Sequence, residues 1–171
     1  MTAGIILMEG KMIKQKNIAV IGCGYWGKNL VRNFAELENL AAVCDANTKQ
    51  VQQLAELYNV DSCTTSEILS NPDIKGVVIA TPASHHSYLT AAALNANKHV
   101  FVEKPLALRM EDAQSLCRLA EEKKRTLMVG HLLQYHPAFL ELKNLIKKGK
   151  LGKLLYLYSN RLNLGKFRNE E

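Results

Sequence analysis

Six consecutive residues, Gly22-Cys23-Gly24-Tyr25-Trp26-Gly27, limit what this chain can fold into more than any other stretch. They follow the short apolar run Asn17 to Gly22 and open directly into a segment of helical period, Trp26 to Leu37. Each glycine of such a strand-to-helix loop answers a different need. Gly22 permits the tight turn, Gly24 lets backbone approach a pyrophosphate, and Gly27 lets the helix pack close to the strand. The unpaired N–H groups and the dipole at the start of the helix favour negative charge there. The loop therefore reads as the first strand–turn–helix of a dinucleotide-binding unit.

From Lys16 onward, short apolar runs alternate with longer helical segments, as in parallel strands joined by crossover helices. Strands are expected at Asn17 to Gly22, Leu40 to Asp45, weakly near Ser62 to Thr64, Gly76 to Ala80, His99 to Val102 and Leu127 to Gly130. They are rich in Val, Ile, Leu and Ala, as strands buried on both faces are. Helices are expected at Trp26 to Leu37, Lys49 to Tyr58, His86 to Asn95, Met110 to Lys123 and Pro137 to Lys148. Thr48 is the expected cap of the second helix, and Asn97 suits a left-handed helix exit. The fold class is α/β: a doubly wound parallel-sheet NAD(P)-binding Rossmann domain over residues 16–150. Residues 1–15 are expected to be a disordered leader, with Met8 and Met12 as alternative starts. Residues 151–171 are expected to be the incomplete start of a second α/β domain, because Leu154 to Leu162 is β-prone and no helix follows it. A lone strand is not stable by itself, and its open edge invites self-association into a homo-oligomer.

Composition narrows the function classes. With 47% hydrophobic and 22% charged residues, the chain has enough apolar material for a packed core. The net charge of +6 is concentrated in Lys147, Lys148, Lys150 and Lys153, around Gly149. Cations there suit a solvated helix C-terminus, so nucleic-acid binding is not expected. Cys23, Cys44, Cys63 and Cys117 have neither metal-ligand nor redox spacing and are expected to be free thiols in a reducing cytoplasm. The apolar stretch Gly4 to Met8 is too short to span a membrane, and no metal site is expected.

Three further elements fall at strand ends, where ligands of open α/β sheets bind. Asp45 ends the second strand, placed to accept hydrogen bonds from adenosine ribose hydroxyls and to repel a 2′-phosphate. No Arg follows in Ala46-Asn47-Thr48, so NAD is favoured over NADP. Ala80-Thr81-Pro82 ends the fourth strand, with His86 in the first turn of the next helix. Glu103-Lys104-Pro105 ends the fifth, where the Lys-Pro bond can be cis and Lys104 can serve proton transfer or hold a substrate oxygen.

Together, the glycine loop, Asp45, Thr81-Pro82 with His86, and Lys98-His99-Val100-Phe101-Val102-Glu103-Lys104-Pro105 resemble the Gfo/Idh/MocA oxidoreductase family over about residues 16–165. Within it, Gly130-His131-Leu132-Leu133-Gln134-Tyr135-His136-Pro137 and the Tyr156 to Leu164 segment resemble the branch that oxidises C3 of UDP-N-acetylhexosamines or their uronic acids for surface polysaccharides. The resemblance implies that NAD takes a hydride from the sugar carbon while a base accepts the hydroxyl proton. Lys104 would lie beside nicotinamide and substrate as the catalytic residue, Tyr25 and Trp26 would contact the pyrophosphate, and Thr81, Pro82, His86 and Glu103 would line the nicotinamide side. Two departures stand out: Gln134 replaces an Arg frequent in the wider family, and the downstream His of the family's substrate domain is not in this chain. His131 and His136 read as structural residues. The chain is thus expected to be the cofactor-binding part of a nucleotide-sugar dehydrogenase. The alternative is a non-catalytic dinucleotide-binding module acting through a partner or self-association.

Overall fold

The computed structural model describes residues 7–8, 11–12, 15–160 and 162. Of the expected leader, β1 (Leu7–Met8) and β2 (Lys11–Met12) form a short antiparallel ladder; its other residues before Gln15 lie outside the described ones. The chain forms two compact units, residues 1–130 and 131–171, a division earlier than the residue 150 expected from the sequence.

The first unit is built on a six-stranded sheet of β3 (Ile18–Ile21), β4 (Leu40–Cys44), β5 (Asp61–Ser62), β6 (Gly76–Ile79), β7 (His99–Val102) and β8 (Leu127–Val129). Its order is β5-β4-β3-β6-β7-β8, with every neighbouring pair parallel. The chain winds outward from β3 to β5, then returns to lay β6 on the other side of β3. That reversal leaves a crevice beyond the C-terminal ends of β3 and β6, the position where doubly wound sheets hold dinucleotides.

The period of two along each strand divides the apolar residues between two cores. Ala19, Ile21, Val77, Ile79, Val100 and Val102 face one core with Leu94 and Leu116, supplied by α4 (His86–Asn95) and α5 (Met110–Lys123). Val20, Val43 and Val78 face the other with Val31 and Val51, supplied by α1 (Gly27–Glu36) and α2 (Thr48–Tyr58). Each fully buried Val, Leu or Ile contributes about 1.5–3 kcal/mol. Burial on both faces is why β3, β4 and β6 read as continuous apolar runs, while the edge strand β5 is polar and exposed.

Local chemistry accounts for several differences from expectation. Asn47, not Thr48, caps α2: its side chain accepts the Gln50 N–H at 3.1 Å from a non-helical backbone, and Thr48 is already helical. The weak third strand falls at Asp61–Ser62. Right after it lies α3 (Thr65–Ser70), which the sequence reading missed. A capping box starts it: the Thr64 hydroxyl accepts the Glu67 N–H at 3.3 Å while the Glu67 carboxylate accepts the Thr64 N–H at 2.7 Å. Asn97 takes the expected left-handed conformation, with φ of 59°.

In the second unit, α6 (Pro137–Lys147) begins with Pro at its first turn, and His136 Nδ1 accepts the Ala138 N–H at 3.2 Å. Lys147 lies in the last turn, where the dipole favours a cation. The expected strand at Leu154 to Leu162 does not form: residues 154–160 and 162 carry no ladder, and Leu155, Tyr156 and Tyr158 are exposed. β propensity gives a strand only where a neighbour supplies the hydrogen bonds, and among the described residues none does. Residue 161 lies outside them. No helix among the described residues is long and apolar enough to cross a membrane.

The capping box makes a prediction. Thr64→Ala is expected to cost about 1 kcal/mol at neutral pH in urea unfolding. The Thr64 backbone N–H, then its hydroxyl, hold the Glu67 carboxyl below its ordinary value of 4.5. The stability this carboxylate adds is therefore present above pH 4.5 and lost as pH falls through the lower folded value. The difference between wild type and variant should shrink over that acidic range.

Candidate dinucleotide site

Gly22 leaves β3 with φ of +93°, and a Cβ on it would lie 2.5–2.7 Å from the Ala80 and Thr81 backbone. Only glycine allows β3 and β6 to end this close together. At Gly27 a Cβ would strike the Gly22 carbonyl, so α1 rests directly on the turn. Gly24 is different: a Cβ there would meet no atom of the described residues within 4 Å, its chain neighbours aside. Among the described residues no packing contact requires glycine at that position, whereas a phosphate laid on the backbone would. No side chain caps α1 and no acidic residue occupies its first turn, so the positive end of its dipole is left for an external anion. The loop thus fits the pyrophosphate of a dinucleotide.

Asp45 holds this loop in shape. Its Oδ2 accepts the Cys23 N–H at 2.5 Å and its Oδ1 accepts the Asn47 N–H at 2.8 Å. Each carboxylate oxygen keeps a second lone pair for a ribose hydroxyl. Gln50 adds a tie that the sequence reading missed, its Nε2 donating to the Cys23 carbonyl at 2.5 Å from the first turn of α2. Burial, and next the Asp45 charge, push the Cys23 thiol up to about 12. It remains a thiol at neutral pH and acts as core packing.

Across the crevice, the indole N–H of Trp26 donates to Glu103 Oε1 at 2.8 Å. This bond joins the glycine loop to the end of β7, next to Lys104. Glu103 is only 8% exposed, and a Cβ on Gly130 would fall 2.9–3.0 Å from its carboxylate. Gly130 therefore seats Glu103, another role not seen in the sequence; its place at the end of a strand on the ligand edge was the available signal. Lys104 is exposed, and the Lys104-Pro105 bond is cis, as the sequence allowed.

His86 is 1% exposed and lies between two turns, with Nδ1 2.6 Å from the Pro105 carbonyl and Nε2 2.8 Å from the Thr81 carbonyl. Each ring nitrogen faces a carbonyl, and a neutral ring donates to one of the two, so His86 is wedged between the Thr81-Pro82 turn and the Lys104-Pro105 turn. Tyr25 is exposed at the loop tip with the Lys28 ammonium 5.6 Å from its ring centroid. The geometry thus gathers Gly22, Gly24, Tyr25, Trp26, Gly27, Asp45, Thr81, Pro82, Glu103 and Lys104 along one edge of the sheet. Gln134 and His131 belong to the second unit, where Lys143 donates to the Gln134 side-chain oxygen.

Trp26 is the one tryptophan of the chain, so its fluorescence reports the link to Glu103. Gly130→Ala is expected to displace the Glu103 carboxylate and alter Trp26 emission while circular dichroism stays unchanged. An emission spectrum identical to wild type would show that Gly130 does not seat this contact.

Comparison with known proteins places these features in a family. Residues 16–131 match the Gfo/Idh/MocA profile, described as an oxidoreductase family with an NAD-binding Rossmann fold. Inositol 2-dehydrogenase of Salmonella typhimurium (strain LT2) is 30% identical over 152 residues, covering 84% of this chain and 45% of that protein. UDP-N-acetylglucosamine 3-dehydrogenase of Acidithiobacillus ferrooxidans is 29% identical over 143 residues, covering 84% and 44%. Among solved structures, scyllo-inositol dehydrogenase from Lactobacillus casei with bound NAD(H) and scyllo-inositol superposes with a TM-score of 0.75 at 25% identity, covering 81% of this chain and 43% of that one. The chain spans less than half the length of these relatives. With its glycine loop, its Asp45 and its Glu-Lys-Pro turn on one sheet edge, the chain belongs to the Gfo/Idh/MocA family of NAD-binding oxidoreductases.

Proposed function

We propose that this chain is the cofactor-binding part of an NAD-dependent cytoplasmic dehydrogenase that oxidises a sugar hydroxyl, at C3 of a UDP-N-acetylhexosamine or its uronic acid. The observation that carries the reading is the Trp26–Glu103 hydrogen bond. It fixes the phosphate-binding loop and the Lys104 turn to each other, as a site needs that must hold a dinucleotide and a substrate in register. Bound NAD supplies a hydride acceptor. The chain's own residues hold and orient: the Gly24 backbone and the start of α1 take the pyrophosphate, Asp45 takes the adenosine ribose, and the Thr81-Pro82 turn bounds the nicotinamide side. Lys104 holds the substrate oxygen or relays its proton as the carbon is oxidised.

The nucleotide-sugar substrate is supported by the similarity to UDP-N-acetylglucosamine 3-dehydrogenase and by the stretch from Gly130 to Pro137. The inositol dehydrogenases, at comparable identity, support the broader class of sugar and polyol hydroxyls. The exposed Leu155, Tyr156 and Tyr158 favour a second reading, a dinucleotide-binding module that works by self-association or with a partner. Following NADH absorbance with UDP-N-acetylglucosamine, its uronic acid and inositols separates these. A cofactor-binding part by itself is expected to bind NAD with little or no turnover, so the assay is read after a relative's substrate domain is joined to the chain. Turnover of a nucleotide sugar then supports the proposal, turnover of inositol alone replaces its substrate, and NAD binding with no turnover restored favours the module.

Asp45 gives a sharper prediction on the cofactor. The chain should bind NAD more tightly than NADP in calorimetry, and Asp45→Asn should reduce that preference by roughly tenfold, since it removes the charge that repels a 2′-phosphate. The ratio is the diagnostic quantity, because loosening the Cys23 contact weakens both dinucleotides alike. An unchanged ratio would remove Asp45 from cofactor selection.

A further inference from the structure

At the opposite edge of the sheet, where the strands begin, the first unit contains a cavity of about 340 Å³, at the small end of ligand pockets. Lys75 lies just before β6, Lys98 and His99 at the start of β7, and Arg125 just before β8, and all line this cavity; no Asp or Glu does. Lys98 is 5% exposed. Its ammonium donates to the Asn71 and Ile74 carbonyls at 2.5 and 2.8 Å, which accounts for two of its three protons. Arg125 Nε is buried and, among the described residues, has no hydrogen-bond partner, while Nη1 at the end of the guanidinium donates to the Lys124 carbonyl at 3.5 Å. His99 accepts the Thr126 N–H on Nδ1 at 3.0 Å, so a neutral ring carries its proton on Nε2 and offers another donor. Burial chiefly, and next the charge of Lys75, lower the Lys98 ammonium from its ordinary value.

We propose that this cavity binds the phosphate group of a small molecule, with Arg125, Lys98 and Lys75 as its partners. A guanidinium fork matches the oxygens of a phosphate, and the two ammonium groups supply point charges. The occupant would supply the counter-charge that the cations lining the cavity lack. The cavity lies at the end of the strands away from the glycine loop, so it is separate from the dinucleotide site.

The test is a titration of the ¹⁵N-labelled 171-residue chain with inorganic phosphate at constant ionic strength, following backbone amide shifts. Phosphate can also settle on the glycine loop, and residue-resolved shifts tell the two sites apart. The expected result is saturable movement of the amides of Asn97, Lys98, His99, Arg125 and Thr126. Arg125→Gln should weaken that response about tenfold or more while any response at Gly22 to Gly27 stays as in wild type. Lys75→Gln, at an exposed side chain that the core does not need, should weaken it severalfold and guards against a folding defect in the first variant. Saturable shifts confined to Gly22 to Gly27, shifts that rise linearly without saturating, or an unchanged response in both variants would overturn the proposal.

Discussion

Between Gly22 and the Ala80-Thr81 peptide there is no room for a side chain, since a Cβ at Gly22 would stand 2.5 Å from the Ala80 carbonyl carbon. That close approach lets β3 and β6 end side by side at the point where the winding of the sheet reverses. The remaining geometry follows from it. α1 can rest on the Gly22 turn, Asp45 at the end of β4 can reach the Cys23 N–H, and the crevice keeps a fixed width. A larger residue at this position would push the strand ends apart and move every one of these contacts.

Two ties then carry the geometry across the crevice. The Trp26–Glu103 bond joins residues 77 positions apart, and the buried His86 ring packs between the Thr81 and Pro105 carbonyls. Through them the loop that fits pyrophosphate and the turn that bears Lys104 become parts of one framework. The shape of the dinucleotide site and the placement of the candidate catalytic lysine are consequently linked. Gly130, by leaving space for the Glu103 carboxylate, is as much a part of this framework as the glycines of the loop.

Much of the framework was legible in the sequence because the central strands β3, β4 and β6 are buried on both faces and read as apolar runs. The glycine loop was legible for a second reason, that its roles are local and each glycine serves within a few residues of the others. The contacts that complete the site were not legible in this way. Trp26 with Glu103, Gln50 with Cys23 and Gly130 with Glu103 depend on which strands become neighbours, and residue spacing does not state that. α3 was overlooked because six residues with one buried side chain, Ile68, give little periodicity, although Thr64 and Glu67 carried its capping signature. The Leu154 to Leu162 segment has strand propensity, but its described residues form no ladder because no described residue supplies a pairing neighbour.

The central claim is that the Gly24 backbone receives the pyrophosphate of NAD, and a Gly24→Val substitution tests it most directly. A Cβ at this position would meet no atom of the described residues within 4 Å, its chain neighbours aside, so the thermal midpoint of the variant should stay close to that of wild type. Calorimetric titration with NAD should give saturable binding to wild type and none detectable to the variant. Equal NAD affinity in the two proteins would contradict the account, because the space above Gly24 would then not be where the cofactor lies.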